Sequence, residues 1–363
     1  MKSINKTNHD SDSDSQALKL EKFCDDMLTI IAGCLSFSDQ LTLRVLSRSF
    51  HENQILRLIL LDSVIRKFTI TEIKTSYHTH VKMQSGHWYS WGSNRSGELG
   101  FTTESDCLST PRRNKTLEQL NPEQHAIGRY HHVATKKNKL YSWGSNSSGQ
   151  LGNGTCDHHT HHHPTPLALP SNPAVIKTSS NGNYNIIQAS SGIFSFGSNP
   201  LGQLGHGDQS TERVGRILAF ITPVTVRLIA CGQIHVMLQT REQKVFAWGC
   251  NSHGELGVGR ERIRFSCNRP IEIEMLNGRS IKQMAAANHS CALMQNGTVY
   301  IWGGNQTGEL GFGNNEDVYV PTPLPLPFEV DTVHLANRRS FYVEKSPSNQ
   351  LQTVLHQKKR YHF

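Results

Sequence analysis

Charge is scarce in this chain: Asp, Glu, Lys and Arg together make up 18% of 363 residues. That is too little for a disordered or coiled-coil protein, while 29 glycines are too many for a helical bundle. Long apolar runs are missing. The most apolar stretch, Ile55 to Leu61, is short and contains Arg57, whereas a membrane span needs about 20 residues. No apolar leader follows Met1-Lys2-Ser3-Ile4-Asn5, and Arg360-Tyr361-His362-Phe363 offers no cysteine for prenylation. None of the eight cysteines forms C-x-x-C, so they read as reduced thiols in a reducing, cytoplasmic compartment rather than a disulfide framework. The phosphate-loop, dinucleotide-binding, zinc-protease and nucleophile-elbow patterns are all absent, and no nucleophile, base and oxyanion donor come together. No catalytic residue, cofactor or resident metal is expected. The net charge of +8 (37 basic against 29 acidic residues) is scattered, and no groove-reading helix or aromatic RNA platform accompanies it, so nucleic acid is not expected as a partner.

What the chain does have is repetition. Five segments nearly copy one another: 89–100, 141–152, 194–205, 246–257 and 300–311. Each reads aromatic-x-aromatic-Gly, then Asn-x-x-Gly-Glu/Gln-Leu-Gly. The second aromatic falls at Trp91, Trp143, Phe196, Trp248 and Trp302, at intervals of 52, 53, 52 and 54. A fixed period near 50 marks a repeat architecture. Alternation in Val299-Tyr300-Ile301-Trp302 is that of a strand with two unlike faces. Gln295-Asn296-Gly297-Thr298 predicts a hairpin, and Asn-x-x-Gly a polar turn. Short strands at this spacing predict the blades of a β-propeller.

In that arrangement the five aromatics pack between blades, and Gly92, Gly144, Gly197, Gly249 and Gly303 let backbones approach closely. These ten are structural repeat residues. His78, His235 and His289 lie 13 residues before the blade aromatic, His131 lies 12 before and Asn185 11 before. Successive blades carry such positions apart, so the expected role is one hydrogen bond per blade and not a metal site. The cluster from Asp157 to His163 reads as a loop able to hold a transition metal only adventitiously.

These motifs, with Gly128-Arg-Tyr-His131 and Gly232-Gln-Ile-His235 upstream, resemble the repeat of the regulator of chromosome condensation family over roughly residues 75–345. The resemblance implies a propeller that binds proteins and, in the founding member, catalyses nucleotide exchange on the small GTPase Ran. Near-equal repeat spacing leaves no inserted wedge, so exchange activity does not transfer residue by residue. A sixth unit, Val333 to Val343 with Leu351 to Leu355, has strand character without Trp-Gly. The expectation is therefore a mainly β fold: about six blades over 75–356, five clear and a degenerate closing one, with five or seven blades as the alternatives and a basic tail at 357–363.

The N-terminal region is different. Residues 1–19 read as a disordered tail. Over 20–70, Met27, Ile30, Ile31, Cys34 and Leu35 fall on one helical face, Ser38-Asp39 reads as a cap, and Leu43, Leu46 and Phe50 line a second helix. The run from Met27 to Phe50 resembles an F-box, with Phe23-Cys24-Asp25-Asp26 in place of the usual Leu-Pro opening. That resemblance implies docking on the Skp-type adaptor of a cullin ubiquitin ligase, with Leu28, Ile31, Leu35, Leu41 and Leu46 as contact or module-core residues. A helical cap packed on the propeller is the competing reading. Related repeat proteins also occur among bacterial effectors delivered into host cytosol, and a signal-less N-terminus fits either origin. Three functions stand: a ligase adaptor whose propeller holds a target, a Ran-type exchange factor, or a binding scaffold with no ligase role.

Overall fold

The computed structural model describes residues 70–344 apart from 84, 172, 219–225 and 337–338. The expected tails, the F-box-like stretch with Leu28, Ile31, Leu35, Leu41 and Leu46, and Leu351 to Leu355 lie outside the described residues.

Among the described residues the fold is a β-propeller of five blades with almost no helix. Each blade is a four-stranded antiparallel sheet in sequence order. The blades are β1–β4 (Ile70–Thr75, His78–Met83, Trp88–Ser93, Cys107–Arg113), β5–β8 (Gln124–Ile127, His131–Lys136, Lys139–Asn146, Asp157–Leu167), β9–β12 (Val175–Asn181, Tyr184–Ala189, Gly192–Gly197, Glu212–Ile217), β13–β16 (Val226–Cys231, His235–Thr240, Val245–Cys250, Ser266–Glu272) and β17–β20 (Ile281–Ala286, His289–Met294, Val299–Gly303, Val318–Leu324). A two-stranded sheet follows, β21 (Val330–Ala336) and β22 (Arg339–Glu344).

This corrects the expected count of six blades: the sixth unit is a hairpin among the described residues. The first blade also begins at Ile70, ahead of the expected start at 75, because β1 carries none of the repeat's signature residues. A second correction concerns the histidine cluster. Asp157–Leu167 is the outer strand of its blade, not a loop. As an edge strand it pairs only with β7, so a polar sequence is tolerated on its free side.

The chain divides into two compact units. Of the described residues, one holds 70–94 and 103–118, the other 95–102 and 119–344. In the first, Asn114 caps α1 (Lys115–Leu120), accepting the Leu117 amide at 2.9 Å, while its Nδ2 donates to Ser90 Oγ at 2.8 Å. Arg113 grips Glu118 with two nitrogens, at 2.9 and 3.1 Å.

In the second unit the first strands β5, β9, β13, β17 and β21 neighbour one another in turn, so they lie innermost and β8, β12, β16 and β20 outermost. The core is not one mass but a series of layers between successive blades. One layer joins Tyr184, Ile186 and Leu204 of the third blade to Ile229, Val236 and Trp248 of the fourth. The next joins Met237, Ala247 and Leu256 to Met284, Ala292 and Trp302.

Candidate partner-binding surface

The Trp-Gly glycine explains itself through register. Gly92, Gly144, Gly197, Gly249 and Gly303 have φ between +99° and +108° and pair with the first residue of the preceding strand: His78, His131, Tyr184, His235 and His289. A Cβ on Gly249 would lie 2.4 Å from the Ile234 carbonyl oxygen and 2.7 Å from the His235 Cα. Only glycine fits a left-handed, crowded position of this kind. The Gly-x-x-His motif has a related cause: a Cβ on Gly232 would meet the His235 ring at 2.3 Å.

Four of the five blade aromatics occupy the junctions. Trp143, Phe196, Trp248 and Trp302 are fully buried, whereas Trp91 is half-buried. Three indoles donate to the backbone oxygen of the Glu or Gln in the preceding blade's turn: Trp143 Nε1 to Glu98 (3.1 Å), Trp248 Nε1 to Gln203 (2.9 Å) and Trp302 Nε1 to Glu255 (3.0 Å). The side chains of those same residues fold back onto the turn. Glu255 Oε2, for example, accepts the His253 amide at 2.9 Å.

The buried histidines form the second junction bond. His131 Nε2 reaches Asn185 Oδ1 at 2.9 Å, His235 Nε2 reaches Ser290 Oγ at 2.8 Å, and His289 Nε2 reaches Ser340 Oγ at 2.8 Å. Each acceptor passes a hydrogen bond on to the turn carbonyl of the preceding blade: Asn185 Nδ2 to Gln150 (2.7 Å), Ser290 Oγ to Glu255 (2.8 Å) and Ser340 Oγ to Glu309 (3.0 Å). Because each serine proton points at the carbonyl, and Asn185 Oδ1 can only accept, Nε2 of each histidine must be the donor. Burial pushes His131 and His289 down to about 4 and His235 to about 3, so all three are neutral. Asn185 is therefore not the third blade's counterpart of the histidines; Tyr184 is. Its hydroxyl lies 2.8 and 2.6 Å from the carbonyl oxygens of Gly232 and His235.

The recurring asparagines tie the turns. Leu151, Leu204, Leu256 and Leu310 donate their amides to Oδ1 of Asn146, Asn199, Asn251 and Asn305, at 2.9–3.1 Å. Repeat residues thus spend their polar groups on one another.

What differs from blade to blade is the loop after Leu-Gly. In four blades this loop (101–106, 153–156, 206–211, 312–317) contains no Lys or Arg. The fourth blade's, Val258-Gly-Arg-Glu-Arg-Ile-Arg-Phe265, is longer and holds Arg260, Arg262 and Arg264. It is fixed at several points. The Gly259 amide donates to Tyr319 O at 3.0 Å and the Asn251 amide to Phe265 O at 2.7 Å, while Asn251 Nδ2 donates to Ile263 O. Arg262 pairs with Glu274 at 3.1 Å. The Arg260 guanidinium sits 5.4 Å from the Tyr319 ring centre and that of Arg264 5.1 Å from Phe265. Phe265 is 63% exposed, the most exposed large hydrophobic side chain among the described residues. No repeat pattern points to it; the signal in the sequence is the departure from the pattern.

The regulator of chromosome condensation (RCC1) repeat matches this chain five times, at residues 85–135, 137–192, 190–239, 242–294 and 296–337. The chain belongs to the RCC1 repeat family. Each matched repeat takes the two outer strands of one blade and runs into the inner strands that follow; the fifth ends with β21, and β22 lies beyond it. Among relatives, the ultraviolet-B receptor UVR8 of Arabidopsis thaliana is 27% identical over 247 residues, 67% of this chain and 55% of that protein. Human E3 ubiquitin-protein ligase HERC2 is 29% identical over 248 residues, 66% of this chain but 5% of the ligase. The chain thus spans about half of the first relative and a small part of the second. Human WBSCR16 has the same fold, with a TM-score of 0.67 at 26% identity over 77% of this chain and 73% of that one. So does Prp20p of Saccharomyces cerevisiae, whose structure was described with its binding to Gsp1p and histones (TM-score 0.67, 23% identity, 79% and 71% covered). No helix among the described residues is long and apolar enough to cross a membrane.

Proposed function

We propose that this chain is a protein-binding adaptor whose propeller holds a target protein and whose residues 20–70 dock on the Skp-type adaptor of a cullin ubiquitin ligase. One observation carries the binding half. The buried histidines and indoles of the repeats are turned to the neighbouring blade and satisfied there, which leaves the variable loops as the chemically distinct surface. Such a surface grips; it has no recurring charged group poised to react. The ligase half draws support from the helical periodicity of residues 20–70 and from the occurrence of this repeat in a ubiquitin ligase relative. Leu28, Ile31, Leu35, Leu41 and Leu46 are the contact candidates.

The test is direct binding of the purified full chain to the Skp adaptor. Binding that Leu28→Ala and Leu46→Ala abolish, with the propeller still folded, supports the adaptor; no binding removes it. Exchange on a Ran-type GTPase is the second reading, motivated by the family, and labelled GDP release from Ran separates it. A regulator must bind the nucleotide-free state more tightly than the loaded one, so release must accelerate over the intrinsic rate. The two readings coexist if the GTPase is the recruited target.

A further inference from the structure

We propose that the fourth blade's loop, centred on Arg260, Arg264 and Phe265, is the docking point for an acidic protein segment bearing an apolar side chain. This rests on the protein-binding reading above and names the chemistry of the partner. Three observations carry it. First, the loop reverses the charge of three of its four equivalents: Glu104 and Asp106, Asp208, and Glu316 and Asp317 stand in loops without Lys or Arg, against three arginines and Glu261 here. Second, Arg262 is used internally by Glu274, while Arg260 and Arg264 have no carboxylate partner among the described residues and are held instead over aromatic rings. A guanidinium fixed in this way keeps its in-plane donors free for a carboxylate and loses little freedom on binding. Third, Phe265 stays exposed although the backbone around it is pinned by the Asn251 and Gly259 amides. A preordered aromatic beside unpaired arginines has the composition of an interface anchor.

The pattern favours protein over nucleic acid. One face of the Phe265 ring is taken by Arg264, so it offers a poor stacking platform for a base. Two free guanidiniums, with Glu261 and Glu316 nearby in sequence and in the adjoining blade's loop, are too few for the many phosphate contacts that nucleic-acid affinity needs. They suffice for one or two carboxylates.

The experiment uses the full chain and a fluorescein-labelled peptide of aspartate and glutamate around one phenylalanine, read by anisotropy. Its lysine counterpart and a charge-matched oligothymidylate serve as comparisons. Saturable binding of the acidic peptide alone is expected, weakening as salt rises. Arg260→Glu/Arg264→Glu should raise Kd about tenfold or more, and Phe265→Ser about fivefold. A matched double change elsewhere, Arg213→Glu/Arg241→Glu, should stay within about twofold. Circular dichroism and thermal melting verify that each variant is folded. Absence of saturable peptide binding, equal binding by the loop variants, or oligothymidylate binding through the loop would each overturn the proposal. If the peptide fails while wild type and loop variant alike still bind the Skp adaptor or Ran, the loop assignment falls and the protein-binding reading stands; if every assay fails, both fall.

Discussion

Two junctions in the same molecule solve one problem differently. Between the fourth and fifth blades, His235 donates to Ser290, and both Ser290 and Trp302 donate to the Glu255 carbonyl. Between the third and fourth, Tyr184 replaces the histidine and Val236 stands where the serine would be. The tyrosine hydroxyl turns to backbone oxygens instead, and Trp248 alone supplies the Gln203 carbonyl. Between the second and third the substitution is reversed: Phe196 has no N–H, and Asn185 supplies the Gln150 carbonyl. The turn carbonyl is buried every time and always retains one of two donors. What the repeat preserves is satisfaction of that oxygen, not any single residue, because a buried unpaired polar group costs roughly 1–3 kcal/mol.

The largest effect should come from removing the aromatic where it is the sole donor. Trp248→Ala is expected to lose about 4–5 kcal/mol in urea unfolding, from the cavity and an orphaned Gln203 oxygen together. Trp302→Ala should lose about 1 kcal/mol less, since Ser290 still covers Glu255. Equal losses would erase the distinction between the junctions. Next, Gly249→Ala should cost about 3 kcal/mol, a strained φ added to a clash with Ile234 and His235, read as a lowered unfolding midpoint.

Acid sharpens the comparison further. The unfolded histidines titrate near 6.5, but in the folded state burial holds His131, His235 and His289 at about 4, 3 and 4. Below about pH 6.5 the unfolded chain therefore binds more protons than the folded one. Stability is level above that pH and falls as pH drops towards 4, by up to about 2 kcal/mol per histidine at pH 5. The Tyr184 hydroxyl contact itself uses no imidazole. Hydrogen exchange at pH 5 should thus lose protection first in β6, β14 and β18, the strands that carry the three histidines; uniform loss across all strands would contradict the assignment. Smallest of all, Arg216→Ala, which removes exposed pairs to Asp208 and Glu212, should change stability by less than about 1 kcal/mol.

How far the fold could be read in advance follows from the same physics. Aromatics and glycines at a fixed period announced blades because close packing and positive φ permit few residue types. Blade number departs from the sequence expectation because the sequence repeat is offset from the sheet by two strands. Outer strands such as β8 have one hydrogen-bonded neighbour and an open side, so their composition resembles a loop. The Asn-Gly hairpin is present, but Gly297 alone has positive φ (+82°), so it is a four-residue turn between β18 and β19 rather than the tight two-residue form. Tyr184 stands 12 residues before Phe196, as His131 does before Trp143, but a phenol does not share the imidazole's chemistry, and it is register opposite Gly197 that identifies it as the counterpart. No repeated position marks Phe265, which stands where the repetition stops.

The most direct test sets Asn185→Val against Ser290→Val in urea unfolding of the full chain. Asn185→Val strips the Gln150 oxygen of its donor beside a phenylalanine that has none to give, whereas Ser290→Val leaves Trp302 in place on Glu255. The loss should be about 3 kcal/mol for the first and roughly 1–2 kcal/mol for the second. Equal losses, or a reversed order, would mean that the turn oxygen does not govern how the blades are joined.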